Sequence, residues 1–240
     1  MVGLAKSYHL GKIINMEFFH TLNRGVDKRK IFLDDEDRNR FIHNLFEFND
    51  QNKSIINYTK RFRRKDLRSP SFSVIERPRK LLVLIHAFCL MDSHYHLLLS
   101  PLVEDGVRKF MTKLNIGYSK YFNAKYERKG ALFEGRYKSI PVIRDAHFIH
   151  LPYYIHFNPL DFEFHEWREG RLKDYNKAIK FLENYKWSSH LDYLGRDNMP
   201  SITQRDELLR FFDENGGYEK NISEWLKDLD MTSNKDLFLE

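Results

Sequence analysis

The chain has 240 residues, 42% of them hydrophobic, and a formal net charge of +6 with a pI near 9.2. No apolar run approaches the roughly 20 residues that cross a bilayer, and the N-terminal stretch lacks the apolar segment of a signal peptide. We therefore expect neither a membrane protein nor a secreted one. The single cysteine, Cys89, excludes a disulfide framework and is typical of a cytoplasmic protein.

The first half of the chain predicts a strand, a helix and a polar insert. Residues 15–28 read as a strand with Gly25 in the following turn. Residues 34–51 read as a helix, with Asp34 or Asp35 as its N-cap and Phe41 and Leu45 on its apolar side. Residues 52–80 are polar and basic and contain several prolines and serines, which predicts an inserted loop.

Two strands, a helix, a strand and a helix are predicted next. The continuous apolar run 81–90 predicts a central strand covered on both faces, and residues 91–93 a tight turn into an antiparallel strand at 94–100. A helix at 104–126 and a strand segment at 130–143 follow. A last helix begins at Asp145 and ends at Asn158, where Pro159 stops it.

This order of elements predicts an α+β fold, a ferredoxin-like (RRM-like) split βαβ sandwich with a central antiparallel sheet. Residues 1–160 would form this domain, with residues 52–80 as its basic insert loop. Residues 161–240 would form a helical C-terminal extension anchored by Trp187 and Trp225.

Two stretches concentrate the positive charge. YTKRFRRKDLR, residues 58–68, holds six basic residues among eleven, and YSKYFNAKYERKGALFEGRYK, residues 118–138, interleaves Lys and Arg with Tyr and Phe. Basic side chains neutralise phosphates and flat rings stack on unpaired bases, so this combination favours a single-stranded nucleic acid as partner. A solvated helix face beside a buried aromatic edge would give the same pattern.

Two histidines stand one residue apart in the apolar stretch CLMDSHYHLLLS. On a strand His94 and His96 point to the same side, close enough to share one metal ion, while Tyr95 points into the core. Two half-exposed histidines bonded to water or backbone are the alternative. His86 and Cys89 are predicted on opposite faces of their strand, which leaves no set of four ligands for a structural zinc.

The stretch YYIHFNP, residues 153–159, is the second constellation. On a helix Tyr154 and Asn158 are four residues apart, so the phenol and the amide share one face. An amide oxygen beside a metal and a phenol beside a metal-bound phosphate would form a nucleophilic site. With 13 tyrosines in the chain, an ordinary core tyrosine is the alternative.

Five ordered segments resemble one family. These are FHTLNRGVDKRKIFLDDEDRNRF, HYH, YFNAKYERKGALFEGRYKS, YIHFNP and KWSSHLDYLG. Together they resemble the single-tyrosine HUH transposases with an IS200-like domain, and most of all the REP-associated branch. The resemblance spans residues 15–195 without the insert.

The resemblance implies a metal-dependent transposase acting on hairpin-associated single-stranded DNA in the bacterial cytoplasm, near the nucleoid. His94, His96 and Asn158 would bind Mg²⁺ or Mn²⁺, and Tyr154 would attack the scissile phosphate to give a 5′-phosphotyrosine. Tyr153 lies about 100° away around the helix, so both tyrosines cannot face the metal. The long tail favours a monomer over a homodimer.

Two departures from the family pattern stand out. Asp92-Ser93 occupies the place where the family commonly has Pro-Asn before the histidines. Pro152 lies inside the predicted helix, where a proline removes a backbone bond and costs about 3 kcal/mol if nothing compensates. A kink there would re-aim Tyr154.

The predicted DNA contacts fall into two groups. Backbone contacts are assigned to Arg24, Lys28, Arg128, Lys129, Arg136 and Lys138, and base stacking to Tyr118, Phe122 and Tyr137. Two other functions fit parts of the pattern. One is a catalytically inactive, domesticated hairpin-binding protein. The other is a metal-dependent RNA-binding or RNA-processing protein, which would need a doublet of exposed aromatic residues on the strands.

Overall fold

The computed structural model describes residues 16–52, 79–142, 145–214 and 216–228, so the predicted insert lies almost wholly outside the described residues. Side chains are described for all of these except residues 145–149 and 228. The strands are β1 Phe19–Arg24, β2 Val83–Leu90, β3 His94–Pro101 and β4 Lys138–Pro141. The helices are α1 Asp35–Glu47, α2 Gly106–Lys125, α3 Asp145–Phe157, α4 Tyr175–Asn184, α5 His190–Tyr193, α6 Asp206–Glu214 and α7 Tyr218–Asp228. Short 3-10 helices lie at Val26–Lys28, Asn158–Phe162 and His165–Glu169.

The four strands form one sheet in the order β2-β3-β1-β4, and every neighbouring pair is antiparallel. With α1 between β1 and β2, and α2 between β3 and β4, this is the split βαβ arrangement that the sequence predicted. The predicted fold class is confirmed, as is the helical extension. Asp34 caps α1 as predicted, because its side chain accepts a hydrogen bond from the backbone N–H of Asp37.

The two faces of the sheet carry two separate cores. On one face Tyr95, Leu97 and Leu99 of β3 pack with residues of α1 and α2. On the other face Leu98 packs with α3 and the C-terminal helices. Since side chains alternate along β3, His94 and His96 lie on the second face, under α3. The alternation therefore decides which helix the histidines meet.

The strand β2 is an edge strand, which corrects the prediction of a central strand at 81–90. Its side chains are buried all the same, because each face packs in one of the two cores, and the chain after α4 covers the open edge. The Leu90 N–H donates to the Trp187 carbonyl, and the Ser189 N–H donates to the Phe88 carbonyl. Gln204 donates its N–H to the Ile85 carbonyl. The apolar run therefore predicted a buried strand correctly. It did not predict that the strand lies at the edge of the sheet, because the residues that cover this edge are distant in the sequence.

A register shift between Ile85 and Ala87 places a bulge at His86. The bulge resets the alternation, so the His86 ring bonds Ser100 and contacts Phe18 on the same face as Cys89. The prediction that His86 and Cys89 lie on opposite faces is wrong for this reason. Within the described residues, no group of three or more His, Cys, Asp or Glu side chains is placed to hold a metal ion.

The extension packs onto α3 through a continuous apolar core. Tyr153 of α3 stacks on Tyr218 at 5.0 Å between ring centroids and lies 5.3 Å from Trp225. Trp187 is buried against the opposite core. Both predicted anchors therefore contact the rest of the fold. In the part of the chain that the structure describes, none of the helices has the length and apolarity needed to cross a membrane.

Ser189 is a buried polar link between the extension and the edge of the sheet. Its buried hydroxyl accepts a hydrogen bond from the Phe88 N–H at 2.9 Å and forms another with His156 Nε2 at 2.7 Å. We expect Ser189→Ala to lower the free energy of unfolding by about 1–3 kcal/mol, because two buried polar groups lose their hydrogen-bond partner. Urea denaturation measures this, with the exposed Ser201→Ala as control. Equal stability of the two variants would contradict the role of Ser189.

Candidate active site

The helix α3 runs without interruption from Asp145 to Phe157 although Pro152 lies inside it. The proline has no N–H to donate, so one backbone bond of the helix is missing at this position. Tyr154, two residues later, lies beside the sheet histidines. Its ring centroid is 5.7 Å from that of His96 and 5.8 Å from that of His20, edge-on in both cases.

The neighbouring Tyr153 points elsewhere. Its ring stacks on Tyr218, and its hydroxyl donates to the Tyr218 backbone carbonyl at 3.3 Å. The two tyrosines therefore face different surroundings, as expected from the 100° step between helical neighbours. Of this pair, Tyr154 is the one in contact with the histidine side of the sheet.

His94 and His96 are each held through Nδ1. His96 Nδ1 is 2.9 Å from Nε2 of His20, and His94 Nδ1 is 3.1 Å from the hydroxyl of Ser93. The rings of His94 and His96 lie 5.0 Å apart. Among the described residues, Nε2 of each is buried and has no hydrogen-bond partner. Two buried acceptors side by side on one sheet face are a costly arrangement unless a ligand satisfies them.

Burial keeps these imidazoles neutral. Desolvation, followed by the positive charge of Arg24, lowers the pKa of His94 to about 4. Desolvation also lowers the pKa of His96 well below its usual value, and that of His20 to about 3. A neutral imidazole has a lone pair to give to a metal, so Nε2 of His94 and of His96 fit the role of metal ligands.

Asn158 follows α3 directly and is fully buried. Its amide nitrogen donates to the Tyr154 carbonyl at 2.8 Å, and its amide oxygen accepts from Arg168 Nη2 at 3.2 Å. These two bonds fix which end of the amide is oxygen. The oxygen retains a second lone pair, so Asn158 fits as an oxygen ligand that a neighbouring donor orients.

The sequence analysis missed three residues of this site. Arg168 bonds both carboxylate oxygens of Asp161, and its guanidinium carbon lies 5.7 Å from the Tyr154 ring centroid. His20 reaches His96 from the neighbouring strand. For His20 a signal existed, since it stands on the first predicted strand at a position of the same alternation. For Arg168 and Asp161, in irregular 3-10 segments, no periodic signal existed.

Two of the basic candidates, Arg24 and Lys138, lie beside the histidines on the sheet. Arg24 pairs with His94 and Leu22 with Lys138, so both cationic side chains start from the histidine face of the sheet. Lys28, Lys129, Arg136 and Lys138 are exposed, whereas Arg24 and Arg128 are half-buried. The Glu134 N–H donates to the Arg24 carbonyl, which holds the segment before β4 beside this strand.

The aromatic candidates divide differently. Tyr118 is fully buried and donates its hydroxyl to the Ile31 carbonyl, and Phe122 is 2% exposed in the same core. The structure thus corrects the prediction that these two rings stack on bases, because neither reaches the surface. Their spacing on α2 is that of core residues packing on the sheet. Tyr137 is half-buried and remains a candidate.

Comparison with known proteins gives one match that bears on this site. Residues 60–158 match the family model described as "Transposase IS200 like". The predicted resemblance to the IS200-like transposases is confirmed. The match contains HYH and ends at Asn158, so the IS200-like segment holds His94, His96 and Tyr154 as well. His20 and Arg168 lie outside it.

The remaining comparisons add less. Among curated proteins, none matches the chain. One solved structure, described as "Structure of the REP associates tyrosine transposase bound to a REP hairpin", matches at 13% identity and a TM-score of 0.41, covering 82% of this chain and 87% of that chain.

Proposed function

We propose that this protein cuts and rejoins single-stranded DNA through a covalent tyrosine intermediate, as a transposase acting on hairpin-associated DNA. The observation that carries the proposal is the position of Tyr154. It stands against His96 on the sheet face where Nε2 of two neighbouring imidazoles has no hydrogen-bond partner among the described residues. The match to the IS200-like transposase family over the same residues supports it.

The proposed reaction has two balanced halves. The Tyr154 oxygen forms a bond to the scissile phosphorus, the bond to the 3′-oxygen breaks, and the phenol proton ends on the departing 3′-hydroxyl. The strand stays attached as a 5′-phosphotyrosine. Because this is again a phosphodiester, a second 3′-hydroxyl can reverse the attack and join strands without an energy source.

The chain offers three ligands for a divalent ion, His94 Nε2, His96 Nε2 and Asn158 Oδ1. A bound Mg²⁺ or Mn²⁺ would draw charge from the non-bridging phosphate oxygens. Two imidazoles make Mn²⁺ the better fit, because Mg²⁺ prefers an oxygen shell. His20 and Ser93 would keep the two rings oriented through Nδ1.

The substrate would approach over the exposed cations near the end of β1. We assign the DNA backbone to Arg24, Lys28, Arg128, Lys129, Arg136 and Lys138. The helix α3 packs on its own sheet and brings Tyr154 to the histidines of that sheet. This packing supports the proposal of a monomer.

The test uses hairpin-forming single-stranded oligonucleotides from DNA flanking the gene, labelled at either end and incubated with the full chain and Mn²⁺. We expect a covalent protein–DNA band on a denaturing gel that carries the strand 3′ of the cut. Its formation should stop when EDTA removes the metal. Tight binding without a covalent band would reject the nuclease function.

A catalytically inactive hairpin-binding protein is the second candidate, and one observation favours it. Tyr154, His96 and Asn158 are all fully buried, so a phosphate reaches them only if covering residues move. The basic surface does not depend on that movement. The covalent-band experiment separates the two functions, because the binder would retain the hairpin and release it intact.

The hydrogen bond from His20 to His96 gives a prediction for metal affinity. With Nε2 of His96 on a metal, its Nδ1–H donates to Nε2 of His20. We expect His20→Leu to weaken Mn²⁺ binding by about 10–100-fold, the scale for losing such a partner. His20→Gln, whose amide oxygen can accept the same proton, should lose less. Calorimetric titration without DNA measures both, and equal affinity of His20→Leu and wild type would contradict the role.

A further inference from the structure

Arg168 lies in the site, although it is outside the segment that matches the family and has no role in the mechanism proposed above. It lies ten residues after Asn158, in the 3-10 helix His165–Glu169, beyond the matched segment. Its side chain reaches back into the site and is only 21% exposed. Within the site it bonds the proposed ligand Asn158 and lies beside the proposed nucleophile Tyr154.

We propose that Arg168 is a catalytic residue that binds the scissile phosphate of the DNA during attack by Tyr154. This inference rests on the proposed nuclease function and adds a group to it. Nε and Nη2 of Arg168 bond Asp161, so the phosphate would meet the Nη1 end of the guanidinium in a charge-assisted hydrogen bond. Donors aimed at the charge of the transferring phosphoryl group are the main means of catalysis in such reactions.

Arg168 is neutralised by Asp161, so a divalent ion on the neutral ligands His94, His96 and Asn158 would leave excess positive charge in the site, which favours a further anion. The Arg168 guanidinium bonds the proposed ligand Asn158 at 3.2 Å and lies 5.7 Å from the Tyr154 ring centroid, so it is close to the proposed metal position. A divalent ion and a guanidinium repel each other in a buried site unless an anion lies between them. A phosphodiester is such an anion, and it is the group that the proposed reaction brings there.

Asp161 gives Arg168 a partner while no DNA is bound. Its carboxylate accepts from Nε at 2.8 Å and also from Nη2, and its Oδ1 accepts from Trp167 Nε1 at 2.7 Å. The Arg168 guanidinium also lies 4.9 Å from the Trp167 ring centroid. The guanidinium of Arg168 is therefore held in one orientation before the DNA binds, which reduces the conformational entropy lost on binding.

The test must separate a phosphate contact from the neutralisation of Asp161. Arg168→Gln alone leaves Asp161 without its cation, which destabilises the fold as well as removing the proposed contact. The double variant Arg168→Gln/Asp161→Asn removes both charges and keeps two hydrogen-bonding side chains. Arg171→Gln is the matched control, since Arg171 is an exposed arginine of the same segment, 71% exposed and paired with Glu169.

Cleavage of the flanking-DNA hairpin with Mn²⁺ is the first readout. We expect the double variant to cleave about 10²–10³-fold more slowly than wild type, the scale for losing one donor to a developing oxyanion. Arg171→Gln should stay within a few-fold of wild type, and Arg168→Lys should recover part of the rate. Wild-type cleavage by the double variant would overturn the inference, because the arginine would then serve only to neutralise Asp161.

Mn²⁺ affinity without DNA is the second readout. A phosphate contact predicts that the double variant binds Mn²⁺ as well as wild type. A parallel loss of affinity and cleavage would mean that Arg168 only holds Asn158 in place, and would overturn the inference. If wild type forms no covalent product, the proposed function fails. Hairpin affinity then tests whether Arg168 contacts the DNA phosphate. A loss of affinity of about tenfold in the double variant, but not in Arg171→Gln, would support the contact.

Discussion

Tyr154→Phe is expected to abolish the covalent protein–DNA product, with a loss of cleavage on the order of 10⁴-fold or more, as for other enzymes without their nucleophile. The change removes one oxygen and leaves the ring. The edge-on contacts with His96 and His20 therefore remain, and the fold and hairpin affinity should be close to wild type. Gel analysis of end-labelled hairpins measures the product, and filter binding measures the affinity.

Tyr153→Phe is the matched control for this experiment. It removes the same atom from the adjacent residue, whose hydroxyl donates to the Tyr218 carbonyl of the extension at 3.3 Å. We expect normal cleavage and a modest loss of stability, about 1 kcal/mol. If Tyr153→Phe rather than Tyr154→Phe removed the covalent product, the assignment of the nucleophile would be wrong.

The second large effect is expected from His96→Leu. This change removes the Nε2 ligand and also the bond to His20, so Mn²⁺ affinity should fall by more than the 10–100-fold expected for an outer partner alone. Mn²⁺-dependent cleavage should be lost with it. Binding of the hairpin should persist, because the proposed backbone contacts lie on other residues.

A surface histidine provides the control for metal binding. His165 is exposed at the start of a 3-10 helix, so His165→Ala tests whether any histidine of the chain contributes to the calorimetric signal. We expect it to bind Mn²⁺ like wild type. Cleavage by His96→Leu at the wild-type rate in Mn²⁺ would contradict a metal site on the paired histidines.

Strand alternation and helix spacing accounted for the main features of the site. The alternation of β3 placed His94 and His96 on one face and Tyr95 in the opposite core. The 100° helical step separated Tyr153 from Tyr154. Both patterns are local, so they are readable from a short stretch of sequence. Pro152, the feature of greatest concern in the sequence, lies within a continuous helix.

Features that depend on distant residues were not predictable in this way. The run 81–90 is apolar because both faces of β2 lie in a core, whereas the cover of its edge by residues 187–189 and Gln204 is visible only in the folded chain. The bulge at His86 changed the face of a side chain without a glycine or proline to signal it. Tyr118 and Phe122 looked like a basic-aromatic surface, but their spacing also suits a helix packed on a sheet.

Arg168 shows the same limit within the site. It stands in a short 3-10 helix in the stretch predicted only as a charged extension, and it enters the site through side-chain bonds to Asp161 and Asn158. Contacts of this kind have no fixed spacing along the chain. The boundary at residue 160 between catalytic domain and extension stays a prediction, and we propose that the extension completes the site as well as covering the sheet.

The most direct measurement of the central claim is mass spectrometry of the covalent protein–DNA product. After nuclease and trypsin treatment, one peptide, residues 145–168, contains both Tyr153 and Tyr154. We predict that fragmentation of this peptide places a nucleotide 5′-phosphate on Tyr154. A nucleotide on Tyr153 or on a residue outside the peptide, or wild-type protein that binds the hairpin in Mn²⁺ without gaining mass, would contradict it.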